Sequence, residues 1–217
     1  MHAFSDLALA VYCPRKLYYR CEDAREVPDA VTTRRALAFE YRTLLDADDS
    51  LLRRRPIAVA PDEFRTNLTR TLDRLDRFEE LADPPERDVL LTGRECRGVV
   101  HKLLEGPPVP SIVSAGRPPE NGVWAPQSVR AVAAAKALAW ERETPVETAF
   151  VEYPTYGIVR RIELTTRRKA LYRRAIRTVE AIDGPPPRLA DDAKCAGCEY
   201  RDRCGVRTRS LRSLLGL

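Results

Sequence analysis

The chain has 217 residues and a mass of 24.5 kDa, more than the usual size of one domain and too little for two full cores. Hydrophobic residues make up 44% and charged residues 32%; these globular proportions exclude a wholly disordered chain, and no apolar run approaches the roughly 18 residues of a membrane-spanning helix. The formal charge is +5 with a pI near 9.0, carried mostly by arginine, whose planar fork suits phosphate and makes nucleic acid a reasonable partner; a GC-rich genome yields the same composition. The opening MHAFSDLALAVY lacks the basic-then-apolar layout of a secretory signal, so the expectation is an intracellular, cytoplasmic protein with reduced thiols and no membrane partner.

Along the chain, Ser5 or Asp6 precedes Leu7, Leu9 and Val11 as a helix start, and Cys13-Pro14 interrupts before a second short helix over Lys16 to Tyr19. Residues 32 to 47 and 62 to 82 each carry apolar residues at three- and four-residue spacing and are expected to be helices. After Asp83-Pro84-Pro85 the texture changes, and Asp88 to Thr92, Gly98 to Leu104 and Pro110 to Ala115 read as three strands. An alanine-rich helix over Pro126 to Glu141 follows. Strands Phe150 to Tyr153 and Ile158 to Leu164 meet at the turn Pro154-Thr155-Tyr156-Gly157, and a basic helix runs from Thr165 to Ile182. The expected class is α/β with a central mixed sheet: a helical region over 1–86, a core over 87–183 and a cysteine-bearing tail over 184–217, integrated as one domain.

Cys195, Cys198 and Cys204 lie within ten residues in a polar tail. The Cys-x-x-Cys loop wraps a metal while five intervening residues bring Cys204 back. Three ligands leave a tetrahedral set incomplete, and Cys13, on a chain turn before Pro14, is better presented as the fourth than Cys21 or Cys96. Four thiolates suit either zinc or an iron–sulfur cluster, and spacing does not separate the two.

The opening SDLALAVYCPRKLYYR and the closing CAGCEYRDRC, with RGVVHKLLEG, GRPPENGVW and VEYPTYGIVRRIELT between them, resemble the CRISPR-associated RecB-like exonucleases, the Cas family numbered four, and their AddB and RecB relatives. The resemblance implies a PD-(D/E)XK nuclease core, an antiviral-defence or DNA-repair setting, and a [4Fe-4S] cluster on Cys13, Cys195, Cys198 and Cys204 that staples the two chain ends, with Cys21 and Cys96 left out. It also implies where a catalytic site belongs. The Gly-x-x-Asp segment corresponds to Gly98-Val99-Val100-His101, so a histidine stands for the first carboxylate. The next strand, within GPPVPSIVSAG, holds no Glu-x-Lys in any register. Arg130 and Ala134 fall at the glutamine and tyrosine of the following helix, and the early-helix histidine falls near Phe39 or Glu40. The expectation is lost or very weak hydrolysis, with His101, Glu105 and Arg130 as degenerate positions and no secure site for magnesium or manganese. The opposing reading is a working exonuclease with metal ligands relocated to His101, Glu105, Glu120 and Glu40; a third is a zinc-stapled interaction module.

Basic residues concentrate late in the chain. Arg173, Arg174 and Arg177 on the last long helix, and Arg201 and Arg203 in the tail, are the candidate contacts to single-stranded or frayed DNA, alongside a possible CRISPR-adaptation or DNA-repair protein partner.

Overall fold

In the computed structural model, residues 1–23 and 27–205 are described. The elements run β1 (His2–Ala3), α1 (Phe4–Tyr12), α2 (Pro14–Arg20), α3 (Asp29–Ala36), a 3-10 turn (Leu37–Phe39), α4 (Tyr41–Leu45), α5 (Asp49–Arg54), α6 (Pro61–Arg74) and α7 (Phe78–Ala82). The second half adds β2 (Glu86–Thr92), β3 (Cys96–Leu104), β4 (Val109–Val113), α8 (Ala125–Glu141), β5 (Thr148–Tyr153), a 3-10 turn (Pro154–Tyr156), β6 (Ile158–Glu163), α9 (Thr166–Glu180) and α10 (Asp192–Ala196).

The six strands form one mixed sheet. β2 lies antiparallel along one edge of β3; on the other edge β1 pairs parallel with the start of β3 and β4 antiparallel with its end. β5 joins β4 in parallel and β6 closes the row antiparallel to β5. Side chains alternate across the strands, so one face carries Ile112, Val151 and Ile162 and the other Val113, Phe150 and Val159. The first face is covered by α1, α8 and α9 through Phe4, Leu7, Val132, Ala135, Tyr172 and Ala175. The second is covered by the helices of the N-terminal third through Leu37, Tyr41, Phe64, Leu68 and Phe78. The result is a helix–sheet–helix sandwich with two cores. Alanines on α8 allow close approach to β3 and α1. Gly98 does the same for Phe4, whose ring stands 2.5 Å from where a Cβ would be.

Two helices that periodicity reads as continuous are broken. The 62–82 segment stops at Leu75, and residues 75–77 leave the helix before α7. That exit lets Arg77 bond the carbonyls of Pro107 and Glu105 and the Glu80 carboxylate. The 32–47 segment divides into α3, a 3-10 turn and α4 because the Ala38 carbonyl accepts from Lys102 Nζ at 2.6 Å rather than continuing a helical ladder. The six later elements expected from residue 98 onward, β3 to β6 with α8 and α9, lie within two residues of their predicted ends. β1 and α5 have no counterpart in the sequence reading. Among the described residues no helix is long and apolar enough to cross a membrane.

Candidate metal centre

Residues 12–19 and 188–204 come together. Cys13 sits between α1 and α2: its N–H donates to Leu9 O at 2.7 Å, ending α1, and its Sγ accepts from Lys16 N at 3.4 Å, capping α2 with Pro14 at the first helical position. On the tail, Asp191 caps α10 through Lys194 N at 3.1 Å. Successive turns follow, Cys198 N to Cys195 O at 3.2 Å, Arg201 N to Cys198 O at 3.1 Å and Cys204 N to Tyr200 O at 2.7 Å. These turns bring Cys195, Cys198 and Cys204, together with Cys13, onto the wall of one small cavity of about 30 Å³. Burial first, and then the neighbouring Cys13, Cys204 and Cys198, push the Cys195 thiol up.

Contacts between α2 and the tail hold the ends in register. Tyr19 stacks on Tyr200 with centroids 5.7 Å apart, Arg15 donates to Pro186 O at 2.8 Å, and Lys16 pairs with Glu199 at 2.9 Å. Tyr200 donates to Asp23 at 2.5 Å, and Arg203 pairs with Glu22 and Asp23. Arg15, Lys16, Lys194, Arg188 and Arg201 also line the cavity, so cations surround the four thiols. Cys21 is exposed, and Cys96 is buried against Ala133 O and Tyr172. Among the described residues no group of three or more His, Cys, Asp or Glu side chains is arranged to hold a metal ion. The four thiols wall a shared cavity without being drawn onto one point.

No family model matches the chain, and no curated protein matches it. A solved protein described as "Crystal structure of SSO0001" is similar at 13% identity and a TM-score of 0.44, over 93% of this chain and 84% of that one.

The positions that the family resemblance marks for catalysis hold no carboxylate set. His101 is buried on β3, and its Nδ1 accepts from Val113 N at 3.1 Å. Burial first, then the charges of Arg130, Arg35 and Lys102, lower its pKa to about 2, so it is neutral. Glu40 pairs with Arg55, while Glu105 and Glu120 are exposed. The relocated set His101, Glu105, Glu120 and Glu40 is not brought together. Sequence reading also passed over Gln127 in the first turn of α8, whose Nε2 reaches Ser114 Oγ at 3.3 Å beside the end of β4.

Because the folded chain resists protonating His101, the unfolded chain binds the extra proton below the ordinary value near 6.5. This group's contribution is complete above pH 6.5 and is lost as the pH falls toward about 2, at up to about 1.4 kcal/mol per pH unit. His101→Asn keeps an acceptor for Val113 N–H without titrating. The urea midpoint of that variant is expected to fall less steeply than the wild type's between pH 6 and 4; parallel slopes contradict the assignment.

The fully buried pair Lys102 and Glu152, 2.7 Å apart with both side chains 0% exposed, was also missed. Lys102 Nζ donates to Ala38 O and Leu81 O at 2.6 Å each, and Ser111 donates to the other Glu152 oxygen at 2.5 Å. The acid and base are locked to each other inside the second core.

A basic cleft runs along α6, β6 and α9. One section of about 520 Å³ is lined by Arg70, Arg74, Arg161 and Arg168, with Glu120 as its carboxylate, and a second of about 800 Å³ by Arg167, Arg168, Arg174 and Arg177. Arg168 belongs to both. Among the described residues no ion pair engages Arg70, Arg74, Arg161, Arg167, Arg174 or Arg177. Arg173 is exposed on α9. Arg203 is committed to Glu22, Asp23 and the rings of Tyr19 and Tyr200, and Arg201 lines the thiol cavity, so neither joins this cleft. The basic residues after 205 lie outside the described residues.

Proposed function

We propose that this protein carries a [4Fe-4S] cluster on Cys13, Cys195, Cys198 and Cys204, and uses a nuclease-like PD-(D/E)XK scaffold to bind DNA without hydrolysing it, in a CRISPR or DNA-repair setting. The observation that carries the reading is the shared cavity walled by one early and three late thiols. The donor set is all sulfur, which suits soft metal centres and not magnesium or calcium. A four-thiolate cluster is anionic overall, and the surrounding Arg15, Lys16 and Lys194 offset that charge. The cluster's role here is structural: it joins α2 to the tail and so fixes both ends of the chain. Loss of hydrolysis follows from the ligands: with His101 neutral and Arg130 where an acceptor is needed, a hard cation has no carboxylates to hold it.

DNA contact falls to the cleft, where unpaired guanidiniums are free to replace counterions on phosphates. Single-stranded DNA is expected to bind at low salt and dissociate as salt rises. Arg161→Glu with Arg174→Glu is expected to weaken binding at least tenfold at about 50 mM salt and to reduce the slope of log K against log salt by about 0.7 per lost contact. No binding at low salt, or an unchanged slope in the double variant, removes the DNA reading. In the same samples, magnesium- or manganese-dependent cleavage that disappears on His101→Ala restores the relocated-nuclease reading.

A further inference from the structure

α6 stops at Arg74, Leu75 leaves it in extended backbone (φ −111, ψ 106), and a hollow of about 140 Å³ opens beside the exit. Its apolar lining is the half-buried Leu75 with the buried Val109 and Phe150, and its exposed lining is Arg74, Asp76 and Arg161. Phe150 and Arg161 are cross-strand partners between β5 and β6, so ring and guanidinium stem share one face of the sheet. Arg77, also on the wall, is already committed to Pro107 O at 2.7 Å and Glu80 at 2.8 Å. Among the described residues no hydrogen bond or ion pair engages the side chains of Arg74, Asp76 or Arg161. Arg74, Leu75 and Arg161 line the first section of the basic cleft as well, so the hollow is continuous with it.

Size and chemistry narrow the occupant. An apolar cavity of about 150 Å³ holds one benzene ring, so this hollow suits a single six-membered ring and is too small for a purine. A strand lying in the cleft offers such a ring in its pyrimidines, provided that the base is unpaired and free to turn out of its stack. The carboxylate of Asp76 only accepts hydrogen bonds. Cytosine presents an amino group at N4 to such an acceptor, whereas thymine presents the O4 oxygen, which a carboxylate repels. We infer that the hollow takes one cytosine base of a single DNA strand, with Asp76 accepting from its amino group and Arg74 and Arg161 on the flanking phosphates. The inference rests on the DNA-binding reading of the cleft and deepens it, and it does not depend on the thiol centre.

The test titrates the full-length protein with two labelled single strands of equal length, one all thymidine and one carrying cytidine at alternate positions, at about 50 mM salt. The cytidine strand is expected to bind about fivefold more tightly or better. Asp76→Ala is expected to bring the two affinities together without weakening the thymidine strand, since a charge that repels phosphate has gone. Thr148→Phe, which fills the hollow from β5, is expected to abolish the preference while the cleft arginines keep the salt dependence. A gain for both strands in Asp76→Ala with their ratio unchanged would show that the acid acts only through its charge, and overturns the base site. Equal wild-type affinities with salt-sensitive binding, or a preference that survives both substitutions, also overturn it and leave the DNA reading standing. If neither strand binds at low salt, both fall.

Discussion

Replacing Lys102 by Met is expected to destabilise the protein by about 3–5 kcal/mol and to lower Tm by roughly 10 °C. All three ammonium protons are used, on Glu152, Ala38 O and Leu81 O, and the charge lies 5.0 Å from the Phe39 ring centroid and 4.7 Å from that of Tyr41. Ala38 is the middle residue of the 3-10 turn and Leu81 lies in the last turn of α7, so the lysine satisfies carbonyls that those short helices leave open. Its removal strands a buried carboxylate along with both carbonyls. Lys102→Met with Glu152→Gln is expected to recover part of the loss, since a neutral amide keeps Ser111 as a partner without a buried charge. Urea unfolding of the wild type, both single variants and the double variant measures the coupling. A loss below about 1 kcal/mol in Lys102→Met would show that water reaches the pair, contrary to its complete burial.

The second large effect is at Cys13. Cys13→Ala is expected to lower thermal stability and expose residues 186–205 to proteolysis, while Cys21→Ala leaves both unchanged. Among its described residues the tail buries few large apolar groups, with Tyr200 against Tyr19 as the main one. Its ion pairs, Lys16 with Glu199 and Arg203 with Glu22, are on the surface, where screening by water leaves such pairs little weight. A metal centre that binds only the folded arrangement supplies what those contacts lack. Equal protease resistance in Cys13→Ala and wild type would show that the stacking and ion pairs suffice alone.

Much of this architecture was legible because its signals are local. The alanine-rich period of α8, the turn at Gly157 with φ +65, and the strands at 98–104 and 158–163 follow from patterns a few residues long. That Cys13 shares a cavity wall with Cys195, Cys198 and Cys204 was anticipated for a different reason, because three late thiols leave a ligand set incomplete; their ligation of one centre is a proposal. What escaped was whatever depends on distant side chains meeting. Nothing near Lys102 in sequence announces Glu152, and Lys102 sits in a strand where a solvated lysine is the ordinary expectation. The breaks at Ala38 and Leu75 escaped for the same reason, since carbonyls there turn to Lys102 and the neighbouring Arg77 reaches residues 105 and 107. Gln127 was legible as a residue but not as a neighbour of Ser114, because register across a helix and a strand is set by tertiary packing. Arg203 shows the converse: a basic tail residue suggests DNA, yet the fold engages it with Glu22 and Asp23.

The cofactor is the point on which the reading turns, and metal and acid-labile sulfide analysis of anaerobically purified protein tests it most directly. About four iron and about four sulfide per chain, both absent in Cys13→Ala, are predicted. One zinc per chain without sulfide, or iron and sulfide retained undiminished in Cys13→Ala, contradicts the account.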